Sequence, residues 1–143
     1  MKFKLTEKHK DLGILLTRIG VGLSFIILHG FPKLSKGPST WEKIGGAMGN
    51  LGIEFTPVFW GFMAAITEFG GGILLAIGLV YRPSTLLLAF TMLVATTNHL
   101  AAGDSWGRAS HALEMGVLFL GAFFIGPGRY SLDHLIASRR KKL

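Results

Sequence analysis

The chain predicts an all-α fold: an integral membrane four-helix antiparallel bundle with a short amphipathic interfacial helix between spans 1 and 2. Three observations predict it. Residues 58–80 are apolar, small or hydroxylic at every position except Glu68, and as one helix they are long enough to cross the roughly 30 Å hydrocarbon core of a bilayer. Hydrophobic residues make up 50% of the 143-residue chain and charged residues only 16%, against about 25% charged in an average soluble domain. That length holds about four spans with little left over, hence a single domain over residues 1–143. The +7 formal charge sits at the chain ends instead of interleaving with exposed aromatics, which argues for membrane orientation and against a nucleic-acid partner.

The spans are predicted at about residues 12–31, 58–80, 84–102 and 109–125. The first begins after a basic stretch carrying Lys2, Lys4, Lys8 and Lys10 and is interrupted only by Arg18 and His29. No small-residue cleavage site follows, because the segment runs into His29-Gly30-Phe31-Pro32, so it reads as an uncleaved span. Arg18 and His29 fall about three helical turns apart and therefore on one face, with Gly22 and Phe25, expected to point into the bundle. Snorkelling toward the inner headgroups is the other reading of Arg18.

Residues 32–57 form the only long connection. Within it Ser39-Thr40-Trp41-Glu42 has capping-box form, Trp41, Ile44, Met48 and Leu51 repeat at helical spacing, and Gly52 is a plausible stop. This helix is expected to lie in the interface across the bundle mouth, as a lid or an anchor. The second span adds Gly70-Gly71-Gly72 just after Glu68, which permits close approach by another helix or by a flat ligand. Tyr81-Arg82-Pro83 is read as a tight turn to the third span, and Gly103 to Arg108 as another. The fourth span opens with His111 and Glu114 on one face and ends at Gly126-Pro127-Gly128.

Lys and Arg number ten on the side of the termini and the Tyr81 turn (Lys2, Lys4, Lys8, Lys10, Arg82, Arg129, Arg139, Arg140, Lys141, Lys142), and four on the other (Lys33, Lys36, Lys43, Arg108). Both termini are therefore expected in the cytoplasm, and the protein in a bacterial inner membrane. The chain has no cysteine, which excludes disulfides, thiolate metal sites and dithiol relays within it.

Depth sorts the buried polar groups. At about 1.5 Å of rise per residue, His29 lies about 4 Å from the outer end of its span, His99 and His111 about 6 Å or less, Glu114 about 9 Å and Glu68 about 16 Å. Arg18 is the only comparable group in the inner half. Three readings fit this cluster. One is an interhelical hydrogen-bond network that fixes the bundle. Another is a metal or haem site with ligands drawn from His29, His99, His111 and Glu114, although His111-x-x-Glu114 reverses the order used in di-iron bundles. The preferred reading is a polar pocket for the headgroup of a lipid-soluble redox molecule such as a quinone, with Glu68 and Glu114 as proton-exchanging catalytic groups. Arg18, His29, Lys33, Trp41, His99 and His111 would bind the substrate. Glu68 is expected to be mostly protonated, with Arg18 the one cation near enough to oppose that.

The sequence also resembles the DoxX family of small bacterial four-helix membrane proteins over about residues 12–133. The resemblance is carried by Arg18-Ile19-Gly20, Gly30-Phe31-Pro32-Lys33-Leu34, Glu68-Phe69-Gly70-Gly71 with Gly78-Leu79, and above all Gly126-Pro127-Gly128-Arg129-Tyr130-Ser131-Leu132-Asp133. It implies a four-span inner-membrane bundle linked to quinone, catechol and oxidative-stress responses, and an association with an oxidoreductase partner subunit. Arg18, Lys33, Glu68 and Arg129 fall on family pattern positions. The expected function is thus a quinone-type binding subunit or accessory of a membrane oxidoreductase. A non-catalytic membrane scaffold or assembly factor and a haem- or metal-binding bundle are the alternatives, and a homo-oligomer is compatible with each.

Overall fold

The structure, a computed structural model, describes residues 6–140, so Lys2, Lys4, Lys141 and Lys142 of the charge count lie outside the described residues. Four of its helices are long and apolar enough to cross a membrane. The first is composite: α1 (Glu7–Ser24) passes into a π-helical segment (Phe25–Gly30) and on into α2 (Phe31–Ser35). α3 (Pro38–Gly45) and a 3-10 turn (Gly46–Leu51) follow at one end of the bundle. Then come α4 (Pro57–Ile77), α5 (Tyr81–Ala101) and α6 (Trp106–Ile125), and a short α7 (Leu132–Arg140) at the end that carries the termini. The chain is a multi-pass membrane protein. Leu16, Leu28, Leu87, Val117 and Phe124 are all more than half exposed on its sides, where a lipid-facing surface needs apolar residues.

The first span does not stop at Phe31, as its Pro32 suggests. A proline inside an α-helix lacks the N–H that should reach back four residues, and its ring crowds the carbonyl there. The π-helical segment removes that conflict by widening the helix just before the proline, with Phe31 N–H donating to Ile26 O, five residues back. The span therefore runs Glu7–Ser35, and Lys33 belongs to it instead of to the connection. Its seat against α4 is set by glycines. A Cβ on Gly22 would stand 2.7 Å from Gly72 O, and one on Gly30 would overlap Phe69 N. Gly72 thus faces the first span, while Gly71 meets Leu88 of α5. Two of the three consecutive glycines are used in helix packing.

The core between the spans holds Phe25, Leu75, Tyr81, Leu88, Met92, Ala112 and Phe119. Phe25 and Phe119, edge to face with centroids 4.9 Å apart, join the first span to the last. The interfacial helix packs hard on α4. Cβ atoms on Gly45 or Gly61 would overlap Pro57 O or Trp41 O, and Trp41 stacks edge-on against Phe62 at 5.0 Å. Its start differs from the capping-box reading. Gly37, with φ 77°, is the N-cap and Pro38 the first residue, because proline supplies the fixed φ and needs no N–H there. Gly52 does end the segment, in the left-handed region at φ 78°.

At the termini end the turns are tied by a polar knot. Gly78, left-handed at φ 68°, closes α4 with Leu79 N–H donating to Leu74 O at 3.0 Å. The third span then starts at Tyr81, inside what reads as a turn, because the Asp133 carboxylate accepts from Val80 N–H and Tyr81 N–H, both at 2.9 Å. Pro83 sits in that first turn, where a missing N–H is harmless. Asp11 accepts from Arg129 N–H at 3.0 Å.

Candidate functional site

Arg18 is buried at that same knot and not in the pocket. Its guanidinium donates to Leu75 O (3.1 Å), Ala76 O (3.0 Å), Tyr130 O (3.2 Å) and Pro127 O. These partners lie seven and eight residues beyond Glu68 along α4, roughly 10–12 Å away, or in the loop after α6. Arg18 is thus not the partner of Glu68, and it lines no part of the cavity beside that residue. It satisfies carbonyls at the negative end of α4 where water is scarce.

Glu68, 1% exposed, is paired instead with Lys33. Lys33 Nζ stands 2.6 Å from the carboxylate oxygens, donating to Oε1. Oε2, also buried, is held by the same ammonium as an ion pair at 2.6 Å, with no other donor directed at it. Trp41, whose Nε1–H donates to Lys33 O at 2.9 Å, holds the backbone that delivers the lysine. Trp41 itself does not line the cavity beside Glu68; it holds Lys33, which does.

That cavity, of about 530 Å³, lies between the α3 segment, α4 and α5, within the roughly 300–1,000 Å³ of small-molecule sites. Lys33, Lys43, Thr67, Glu68, Asn98 and His99 supply its polar groups, and its side toward lipid is formed by Phe59, Met63, Leu87 and Phe90. His99 is oriented by Asp104, Nδ1 to Oδ2 at 2.8 Å, and Asp104 is held in turn by Arg108 at 2.8 Å. The hydrogen bonds from His99 and then Arg108 keep the Asp104 carboxyl below its ordinary range, so it stays ionised through neutral pH. Asn98 Oδ1 accepts from Asn50 Nδ2 at 3.2 Å, tying α5 to the 3-10 turn.

The other residues picked out by depth go elsewhere. His29, half-buried, stacks on His111 with centroids 5.6 Å apart and planes 22° apart, outside the cavity. Glu114 is exposed on α6 and lines no part of the cavity, so nothing places it beside a bound substrate. Of the alternative ligand set only His29 and His111 stand together, and among the described residues no group of three or more His, Asp or Glu could hold a metal ion. Two contributors escaped sequence reasoning. Trp60 lines the cavity with its Nε1–H buried and unpartnered, and its signal is the stripe Trp60, Ala64, Glu68 at helical spacing. Asp104 is the other, five residues after His99 across a tight turn.

The chain is similar to known membrane proteins. A family model described as DoxX matches residues 13–101. The inner membrane protein YqjF of Escherichia coli (strain K12) is 32% identical over 136 residues, covering 91% of this chain and 96% of the relative. The inner membrane protein YphA of the same organism is 33% identical over 128 residues, covering 84% and 87%. No solved structure matches.

Proposed function

Because this chain belongs to the DoxX family, we propose that its cavity binds a lipid-soluble molecule of quinone type and that the protein serves as a subunit or accessory of a membrane oxidoreductase. The observation that carries this is a buried, unpartnered donor beside an ion pair at the cavity. Among the described residues Trp60, which lines it, has its Nε1–H buried without a partner, and Glu68, which also lines it, is ion-paired with Lys33 at 2.6 Å. An unmade hydrogen bond in a buried site costs about 1–3 kcal/mol, and a ligand acceptor recovers the one at Trp60. A quinone carbonyl accepts from Trp60 Nε1–H or from Lys33; a hydroquinone hydroxyl donates to the Glu68 carboxylate. The apolar side formed by Phe59, Met63, Leu87 and Phe90 suits a ring and tail arriving from the bilayer.

Binding of a short-chain benzoquinone and of its hydroquinone to the detergent-purified protein, followed by tryptophan fluorescence quenching, tests the reading. Saturable binding is expected, weakened about tenfold in Trp60→Phe, which keeps the ring bulk and loses one hydrogen bond of about 1.4 kcal/mol. Absence of saturable binding of either form would sink it. The relatives are named inner membrane proteins, and the ten-to-four asymmetry of Lys and Arg favours cytoplasmic termini, with the cavity in the outer half. In this cysteine-free chain, Ser39→Cys should react with an impermeant thiol reagent in intact cells and Ser138→Cys should not; the opposite pattern would reverse the orientation.

A further inference from the structure

The turn between α5 and α6 carries a chain of polar side chains that ends in the cavity. Arg108 Nη1 donates to Asp104 Oδ1, and His99 Nδ1 meets Asp104 Oδ2, both at 2.8 Å. His99 lines the cavity; Asp104 and Arg108 do not. An ionised carboxylate has no proton to give, so the ring nitrogen that faces it carries one. In the neutral imidazole that leaves Nε2 with a lone pair. Asp104 thereby decides what His99 offers a ligand, which is an acceptor on the α5 side of the cavity.

Acceptors are scarce there. Trp60 Nε1–H and the ammonium groups of Lys33 and Lys43 only donate, and Asn98, whose Oδ1 is taken by Asn50 Nδ2 at 3.2 Å, has its N–H pair left to give. The Thr67 hydroxyl turns either way. The Glu68 carboxylate on α4, shared with Lys33, is the other acceptor. We propose that Asp104 is a positioning residue that fixes His99 as the Nδ1–H tautomer, and that the cavity in consequence holds the hydroquinone form of its ligand more tightly than the quinone. The proposal rests on the quinone-type reading of the cavity and adds which redox form it favours. One hydroquinone hydroxyl donates to His99 Nε2, while the hydroxyl across the ring donates to Glu68 and accepts from Trp60 or Lys33. A quinone carries acceptors alone. It satisfies the donors on α4 and the first span, but its second carbonyl meets a lone pair at His99, and a site built to pair a hydroxyl rejects the analogue that lacks one. No proton or electron is transferred in this distinction, which is one of binding only.

The test uses the full-length detergent-purified protein at about pH 8, above the unperturbed imidazole pKa of about 6.5, without oxygen so that hydroquinone persists. The first readout is the ring-nitrogen NMR spectrum of isotope-labelled histidine, with the His99 signals identified by their loss in His99→Phe. The Nδ1–H tautomer is expected in the parent, with a shift toward Nε2–H in Asp104→Leu. The second readout is the affinity for a short-chain benzoquinone and for its hydroquinone, followed by tryptophan fluorescence. The parent is expected to bind the hydroquinone about tenfold more tightly, the worth of one hydrogen bond. Asp104→Leu and His99→Phe are each expected to lose that preference, and if one fails to fold the other carries the test. Equal affinities in the parent, or tighter binding of the quinone, would overturn the proposal. So would an Nε2–H ring or an imidazolium at His99 in the parent, or equal weakening of both forms in the variants, which is what a merely structural turn would give. A parent that binds neither form refutes the quinone reading of the cavity, and the His99 tautomer then decides the role of Asp104 by itself.

Discussion

Replacing Arg18 with methionine is expected to destabilise the bundle by about 3 kcal/mol or more, among the largest losses from any single substitution. The guanidinium makes four hydrogen bonds to backbone carbonyls on α4 and in the loop after α6, and its side chain is 2% exposed. Bonds from a charged donor contribute about 1.5–3 kcal/mol each. Leu75 O also accepts from Gly78 N–H at 3.2 Å, so part of the loss is absorbed, which makes the expected figure smaller than the sum of four bonds. Pro127 O and Tyr130 O lie in the loop after α6 and have no helix to fall back on. Arg18→Lys should recover less than half of the loss, because three donors on one nitrogen cannot span acceptors arranged around a planar fork. Thermal unfolding in detergent measures both. Quinone affinity of whatever remains folded should match the parent, since the knot lies at the other end of α4. A variant that melts with the parent, or that stays folded and loses ligand, would contradict the structural role.

The four spans were legible because their length and hydropathy are local properties, and the spans were found within a few residues of their observed limits. What was not legible is what depends on partners far away in sequence. The start of α5 at Tyr81 is fixed by Asp133, which no local pattern links to it. Pro32 reads as a stop, and only the π-helical widening before it lets the helix continue. That one residue decided the site. With Lys33 assigned to a connection, Arg18 was the one cation left for Glu68; with Lys33 inside the span, the pair forms.

Depth was a sound guide to which end of the bundle holds the polar groups and a poor guide to which of them meet. It carries no information about helix rotation. Glu68 and His99 line one cavity, His29 and His111 stack outside it, and Glu114 is exposed. Rotation is set by the glycine contacts Gly22 to Gly72 and Gly30 to Phe69. Those glycines are visible in the sequence, but their partners are not.

The second large effect is expected at the Glu68–Lys33 pair, and the two single variants should differ. Glu68 is 1% exposed whereas the Lys33 side chain is 30% exposed, so removing the lysine strands a buried carboxylate and removing the carboxylate strands an ammonium that still touches its surroundings. Lys33→Met is therefore expected to destabilise by about 3–5 kcal/mol, the usual consequence of leaving a buried charge unpaired, and Glu68→Gln by clearly less. The double variant should be more stable than Lys33→Met alone, with a coupling of about 2 kcal/mol or more. Additive single effects would mean that the 2.6 Å contact does not hold the two helices together, and that the cavity is framed by glycine packing instead.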